Sequence, residues 1–175
     1  DSYDESSFNI DTFIALSESK ITESTELLLA PETVLQGYLD ESNLDFRFKL
    51  YLDTSVRRYQ GDIDKLKQQL QQKYPKLNIL LGSAIGKSQQ HQDDKYIDKY
   101  NSAIFISKNQ DIFIYHKTKL VPGAEAIPYP SLFNSFKDFL SIKLDGAAGN
   151  YARGKDITMF SIDKVNILPL ICYES

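Results

Sequence analysis

A chain of 175 residues with 42% apolar content has the length of one domain and enough Leu, Ile, Val, Phe and Tyr for a real core, which argues against disorder. Its 20 Lys and Arg against 24 Asp and Glu leave a net charge of −4 with the signs interspersed, so nucleic acid and an anionic membrane surface find no basic footprint. Cys172 is the only cysteine and His91 and His116 are the only histidines, which excludes an intrachain disulfide or a cysteine zinc site and leaves little for a histidine-rich metal cluster; no metal or other cofactor is expected.

From Phe8 to Ile21 the apolar residues Ile10, Phe13, Ile14 and Ile21 recur at helical spacing, with Asp11, Glu18 and Lys20 on the other side. Leu27 to Ala30 is a short apolar run stopped by Pro31, read as a buried strand that leaves Glu32 just past its end. Glu41 to Tyr59 is expected to be helical. Asp62 to Tyr74 is a clearer helix through Ile63, Leu66, Leu70 and Tyr74, closed by Pro75. Leu77 to Ala84 reads as a second buried strand, and the Gln, Asp and Lys of Gly86 to Lys99 predict a solvated loop.

Asn101 to Ser107 and Asp111 to Tyr115 are apolar runs around Lys108-Asn109-Gln110, which predicts a hairpin with Lys117 directly after it. Pro122, Gly123, Pro128 and Pro130 make a loop, Ser131 to Ile142 a helix, and Asp145 to Gly154 a loop again. Ile157 to Ile162 and Val165 to Tyr173 read as paired strands around Asp163-Lys164. The longest apolar runs fall far short of the ~20 residues that span a bilayer. The chain starts on Asp1 and stops just after an apolar run, so both ends are expected to be cut. Strands mixed with helices, several apolar on both faces, imply an α/β or α+β layered class.

Three reactive groups fall at expected strand ends, where layered α/β folds usually assemble their sites: Glu32, Lys117 and Cys172. Singly, each has a plainer reading, since Glu and Lys are ordinary surface charges and a lone Cys in an apolar run is an inert core residue. Four local patterns in order change that. Pro31-Glu32-Thr33, then Tyr115-His116-Lys117 with Leu120-Val121-Pro122 and Glu125, then Arg153-Gly154, then Ile171-Cys172-Tyr173-Glu174 resemble the nitrilase, or carbon-nitrogen hydrolase, superfamily. More narrowly they resemble its apolipoprotein N-acyltransferase branch. The glycine of the middle pattern stands one place earlier here, at Gly123, while the Pro-to-Glu spacing is kept.

The resemblance implies an α-β-β-α sandwich, with residues 1–175 a partial catalytic domain incomplete at both ends and lacking the branch's membrane helices. It implies that Glu32 is the general base, Lys117 supports the oxyanion and Cys172 attacks. Glu125 would be a second glutamate near the nucleophile, with Tyr173 and Glu174 supporting. The branch would be a bacterial inner-membrane enzyme whose periplasmic domain moves a fatty acyl chain from a phospholipid donor to the amino-terminal cysteine of an apolipoprotein acceptor.

The residue types suit that chemistry. A thiol with pKa near ~8.5 must lose its proton to attack, a carboxylate can take it, and a fixed cation plus a backbone N–H can hold the oxyanion. His116, beside Lys117, points to the opposite strand face and is not expected to be catalytic. Arg153 would hold a lipid phosphate or, as favoured, pin its loop by an ion pair. The loop Leu120 to Pro130, including Tyr129, offers apolar surface for an acyl chain, which favours the acyltransferase over a soluble amidase acting on a small amide. A third reading is an inactive fragment.

Overall fold

A computed structural model describes residues 10–40, 61–91, 94–122, 124–126 and 151–175, with 36–40, 88–91 and 94–97 described in backbone alone. The elements are α1 (Ile10–Glu18), β1 (Leu27–Leu29), β2 (Leu35–Asp40), a helical stretch over 61–65 that continues as the π-helical Leu66–Gln71, β3 (Asn78–His91), β4 (Asp94–Ile106), β5 (Ile112–His116), β6 (Phe160–Ile162), β7 (Val165–Ile167) and a 3-10 turn, Cys172–Glu174. The class is mixed α/β. The expected helices over Glu41–Tyr59 and Ser131–Ile142 lie outside the described residues.

β3 is the spine of the sheet: β1 and β2 both pair with it in parallel, β4 lies antiparallel on its other side, and β5 follows antiparallel to β4. Alternation along these strands splits their side chains between two cores. On one face Ile79, Leu81, Ile85, Ile104 and Ile106 pack against Ile10, Phe13 and Ile14 of α1 and Ile63, Leu66 and Leu70 of the second helix. On the other, Leu80, Ala103, Phe105 and Tyr115 meet Phe160, Ile162 and Ile171, with the Phe105 and Phe160 rings stacked 5.0 Å apart. Helices, the five-stranded sheet and the β6–β7 hairpin are thus three successive layers.

The buried Gln71 joins two layers, donating through Nε2 to the carbonyls of Leu77 (3.0 Å), Ile106 (3.4 Å) and Ser107 (2.8 Å) at the ends of β3 and β4. Surface pairs Lys65–Asp11 and Lys73–Glu18, both 2.9 Å, also link α1 to the second helix, but exposed pairs contribute little.

Four expectations need correction. The solvated loop over Gly86–Lys99 is a β-ribbon, because the β3–β4 ladder runs unbroken from Ile79↔Ile106 to His91↔Asp94. Backbone pairing carries a ribbon whatever its side chains, so polarity was a poor guide. The strand read over Leu27–Ala30 is not buried: Leu27 and Leu28 are half-buried and Leu29 is 68% exposed, since among the described residues β1 has a neighbour only in β3. The helix over Asp62–Tyr74 leaves regular winding after Lys65, is π-wound from Leu66 to Gln71 and ends there, short of Tyr74. The strands read over Ile157–Ile162 and Val165–Tyr173 shrink to β6 and β7, because Pro169 lacks the N–H a ladder needs. β2, which follows Glu32 within a few residues, was not foreseen.

Candidate functional site

β1 and β5 both run parallel to β3, so their carboxyl ends reach the same level of the sheet. Leu29 pairs with Leu80, and two residues further along β3 stands Gly82, where the chain carrying Glu32 crosses. A Cβ at Gly82 would overlap the Glu32 carbonyl oxygen, so this close crossing requires glycine. Backbone bonds lace the crossing on both sides: Ala30 N–H to Leu80 O (2.8 Å), Gly82 N–H to Pro31 O (3.1 Å) and Val34 N–H to Gly82 O (3.2 Å). On the neighbouring strand Asn101 pairs with Ala84, and its carbonyl accepts the Lys117 N–H at 2.8 Å, one step beyond the Ser102↔His116 pair. Register alone therefore puts Glu32, Asn101 and Lys117 in one neighbourhood.

The side chains then connect. Asn101 Nδ2 donates to Glu32 Oε1 at 2.7 Å and to Glu125 Oε1 at 3.2 Å, and Glu125 Oε1 also accepts from Lys117 Nζ at 2.9 Å. Lys117 is 1% exposed, which a primary ammonium tolerates only when paired, and Glu125 is its partner. Glu125 is placed by a tight loop: the N–H groups of residues 124–126 point to the Val121 carbonyl, and the Val121 N–H returns to Glu125 Oε2 at 2.8 Å. Burial opposes ionisation of Glu125, but the bonds from Lys117, Val121 and Asn101 outweigh it and hold its carboxyl below the ordinary value.

Cys172 arrives from the other layer. Rather than ending a strand it opens the 3-10 turn, is exposed, and adopts φ 50°, the left-handed region that costs a residue with a Cβ strain energy. Glu174 holds that turn down. Its Oε2 accepts the Ile171 N–H at 3.0 Å, and its Oε1 accepts Tyr115 Oη (2.6 Å), Thr118 N–H (2.6 Å), Thr118 Oγ1 (2.8 Å) and Lys119 N–H (3.1 Å). The turn bearing Cys172 is thereby tied to the loop that follows Lys117. Burial works against the Glu174 anion, yet these donors keep its carboxyl below the usual range; burial first, and then the bond to Glu174, push the Tyr115 phenol up.

Glu32 and Cys172 line one cavity of about 430 Å³, whose walls are otherwise mostly aliphatic and include Leu29, Leu80, Leu168 and Leu170, with Ser102 as a further polar group. A strap over 151–154 closes the far side of Lys117: Tyr151 N–H reaches Glu125 O (3.0 Å), Ala152 N–H reaches Lys99 O (2.6 Å) and Gly154 N–H reaches Lys117 O (2.8 Å). Arg153 Nε donates to the Thr118 carbonyl, so it does pin its loop, through a backbone oxygen instead of the expected ion pair. His116 turns away from this cluster, bonded through Nδ1 to Ser102 Oγ (2.8 Å) and stacked on Tyr100 at 4.2 Å. Tyr173 is half-exposed under the Lys119 ammonium, 4.9 Å from its ring. Tyr129 lies outside the described residues.

The structure thus gathers Glu32, Lys117, Glu125, Cys172 and Glu174. Asn101, Thr118 and Gly82 complete the arrangement and were not foreseen. One signal for Asn101 was available, since asparagine is depleted in strand interiors and one at such a position has some other task.

A mixed α/β sheet that presents a cysteine on a strained turn beside a carboxylate, with a buried lysine close by, is the frame on which the family can be read. The carbon-nitrogen hydrolase family model matches residues 5–175, and the chain belongs to that family, the nitrilase superfamily of enzymes. A search of curated proteins finds no match.

Proposed function

We propose that the protein is a cysteine-dependent acyl-transfer enzyme in which Glu32 is the base, Cys172 the nucleophile and Lys117 the oxyanion support, and that within its family it acts as an N-acyltransferase on lipid substrates. The observation that carries this is the aliphatic cavity shared by Glu32 and Cys172. Its size lies in the ~300–1,000 Å³ range of small-molecule sites, and its walls suit a hydrocarbon better than a small polar amide.

The steps follow. Glu32 takes the proton from the Cys172 thiol; the thiolate adds to the ester carbonyl of an acyl donor. In this reading the Lys117 ammonium and the N–H of Tyr173 stabilise the charge that develops on the carbonyl oxygen, while Glu125 keeps the ammonium fixed. The adduct collapses with the alkoxide leaving group, which regains the proton from Glu32, and the acyl group remains as a thioester. An amine then adds to the thioester, Glu32 accepts its proton, and the proton passes to the departing thiolate. A phospholipid donor and an apolipoprotein acceptor at the outer face of a bacterial inner membrane are the substrates and place this reading implies. No helix among the described residues is long and apolar enough to cross a membrane, so attachment would rest on other parts of the protein.

The test is the fate of the thioester. The full-length protein loaded with a phospholipid acyl group is chased with a peptide bearing a diacylglyceryl-modified amino-terminal cysteine, or with buffer alone. Transfer to the peptide much faster than release into water supports the acyltransferase. Equal rates with and without peptide, together with turnover of small amides, assign the amidase activity instead.

A further inference from the structure

Asn101 touches every part of the acid-base machinery except the thiol. Its Nδ2 carries two N–H groups; one points to Glu32 Oε1 at 2.7 Å and the other to Glu125 Oε1 at 3.2 Å. Its carbonyl receives the Lys117 backbone N–H at 2.8 Å, and Lys117 Nζ closes the circuit on the same Glu125 oxygen at 2.9 Å. One strand residue therefore fixes the main chain of the lysine and the side chains of two carboxylates.

Electrostatics make the residue type matter. Two carboxylates drawn to one site repel, and like charge beside a carboxylate disfavours its ionised form. A primary amide satisfies both with N–H donors and adds no charge, which neither an acid nor an aliphatic side chain can do. The ionisable groups gathered here are Glu32 and Cys172 on the cavity and Lys117 and Glu125 behind it, with Glu174 of the Cys172 turn bonded to Tyr115 at the end of β5 and to the loop following Lys117. Among them only Glu125 pairs directly with the buried ammonium, so Glu32 takes its place through Asn101.

We infer that Asn101 is a positioning residue, which bridges Glu32 and Glu125 through its two amide N–H groups and so holds the Glu32 carboxylate at the mouth of the cavity it shares with Cys172. The bridge itself needs no enzymatic assumption; its effect on rate rests on the acyl-transfer reading above.

Two measurements on the full-length protein separate the two ideas. In ¹⁵N-labelled protein the Asn101 side-chain amide pair is identified by its loss in Asn101→Asp. Glu32→Gln should then shift one proton resonance of the pair most, and Glu125→Gln the other. If neither substitution moves the pair, the bridge is absent and the inference fails, whatever the enzyme catalyses. The second readout is the pH profile of Cys172 acylation. Asn101→Asp keeps the shape but replaces the donors with a third negative charge. It should slow acylation about tenfold to a hundredfold at neutral pH, the scale of hydrogen bonds to charged groups, and move the low-pH limb upward so that part of the rate returns in alkali. Asn101→Ala should lose rate with a smaller displacement of that limb. A uniform loss at all pH values in both variants would reduce Asn101 to a purely structural residue and overturn the inference. If the resonances respond but wild-type Cys172 is never acylated, the bridge stands and the acyl-transfer reading falls.

Discussion

Two glutamates flank Cys172 in very different settings. Glu174 is half-buried, accepts five hydrogen bonds from Tyr115, Thr118, Lys119 and Ile171, and is held ionised by them. Glu32 is exposed on a loop at the cavity, bonded to Asn101 through one of its oxygens. A carboxylate saturated with donors is a clamp, because moving a proton onto it would break several bonds at once. One held by a single neutral donor can exchange a proton with a neighbouring group at little structural cost. The same side chain thus serves as a structural tie in one place and as a candidate base in the other.

The largest expected effect comes from breaking the second setting. Glu32→Gln keeps the volume and can still meet Asn101, but it cannot take a proton; acylation of Cys172 should fall about a hundredfold to ten-thousandfold, with the melting temperature nearly unchanged. Lys117→Met should lower acylation by about two to three orders of magnitude, the worth of one oxyanion donor. Lys117→Arg should not rescue it, since a planar fork does not fit where Lys117 Nζ meets Glu125 at 2.9 Å. Single-turnover acylation assays decide both, and an active methionine variant would remove Lys117 from the chemistry.

Breaking the clamp should act on stability more than on chemistry. Glu174→Gln can keep its oxygen toward Tyr115, Thr118 and Lys119, but it leaves the Ile171 N–H facing an NH2 group and removes the charge from the other bonds, and should cost about 1–3 kcal/mol in denaturant unfolding. The wild-type carboxyl is held below its usual value, so its stabilising effect is present above the unfolded carboxylate pKa and disappears as pH falls through the lowered folded value. Wild-type melting temperature should therefore drop with acid below about pH 4.5. The glutamine variant should show a shallower drop, and a parallel pair of curves would contradict the clamp. The smallest effect is expected at His116, which faces Ser102 and Tyr100: His116→Gln should change acylation no more than about threefold, as ordinary substitutions away from a site do.

What could be read in the sequence was whatever depended on short-range pattern. The stripe Ile63, Leu66, Leu70 and the apolar run Asn101 to Ser107 led to buried parts of a helix and a strand, as they should. Glu32 just after a strand and Lys117 directly after the hairpin were likewise visible. What failed depended on pairing and contacts that residue type does not announce. The polar ribbon beyond Gly86 exists because β4 lies beside it. The Cys172 turn bends where it does because Glu174 is pulled toward Thr118 and Lys119, more than fifty residues earlier. Asn101 gains its place from a register that joins it to Ala84 on one side and to the Lys117 N–H on the other. Apart from the asparagine itself, unusual inside a strand, none of these relations leaves a mark in the residue types.

In the proposed reaction Glu32 and Cys172 work together across one apolar cavity to form a thioester. Intact-mass analysis of the full-length protein mixed with phospholipid, wild type beside Glu32→Gln, tests it most directly. Wild type should gain the mass of one fatty acyl chain, mapped to Cys172 and released by neutral hydroxylamine, with little or none on the glutamine variant over the same time. Equal acylation of both proteins, or an acyl group mapped to any residue other than Cys172, would contradict it.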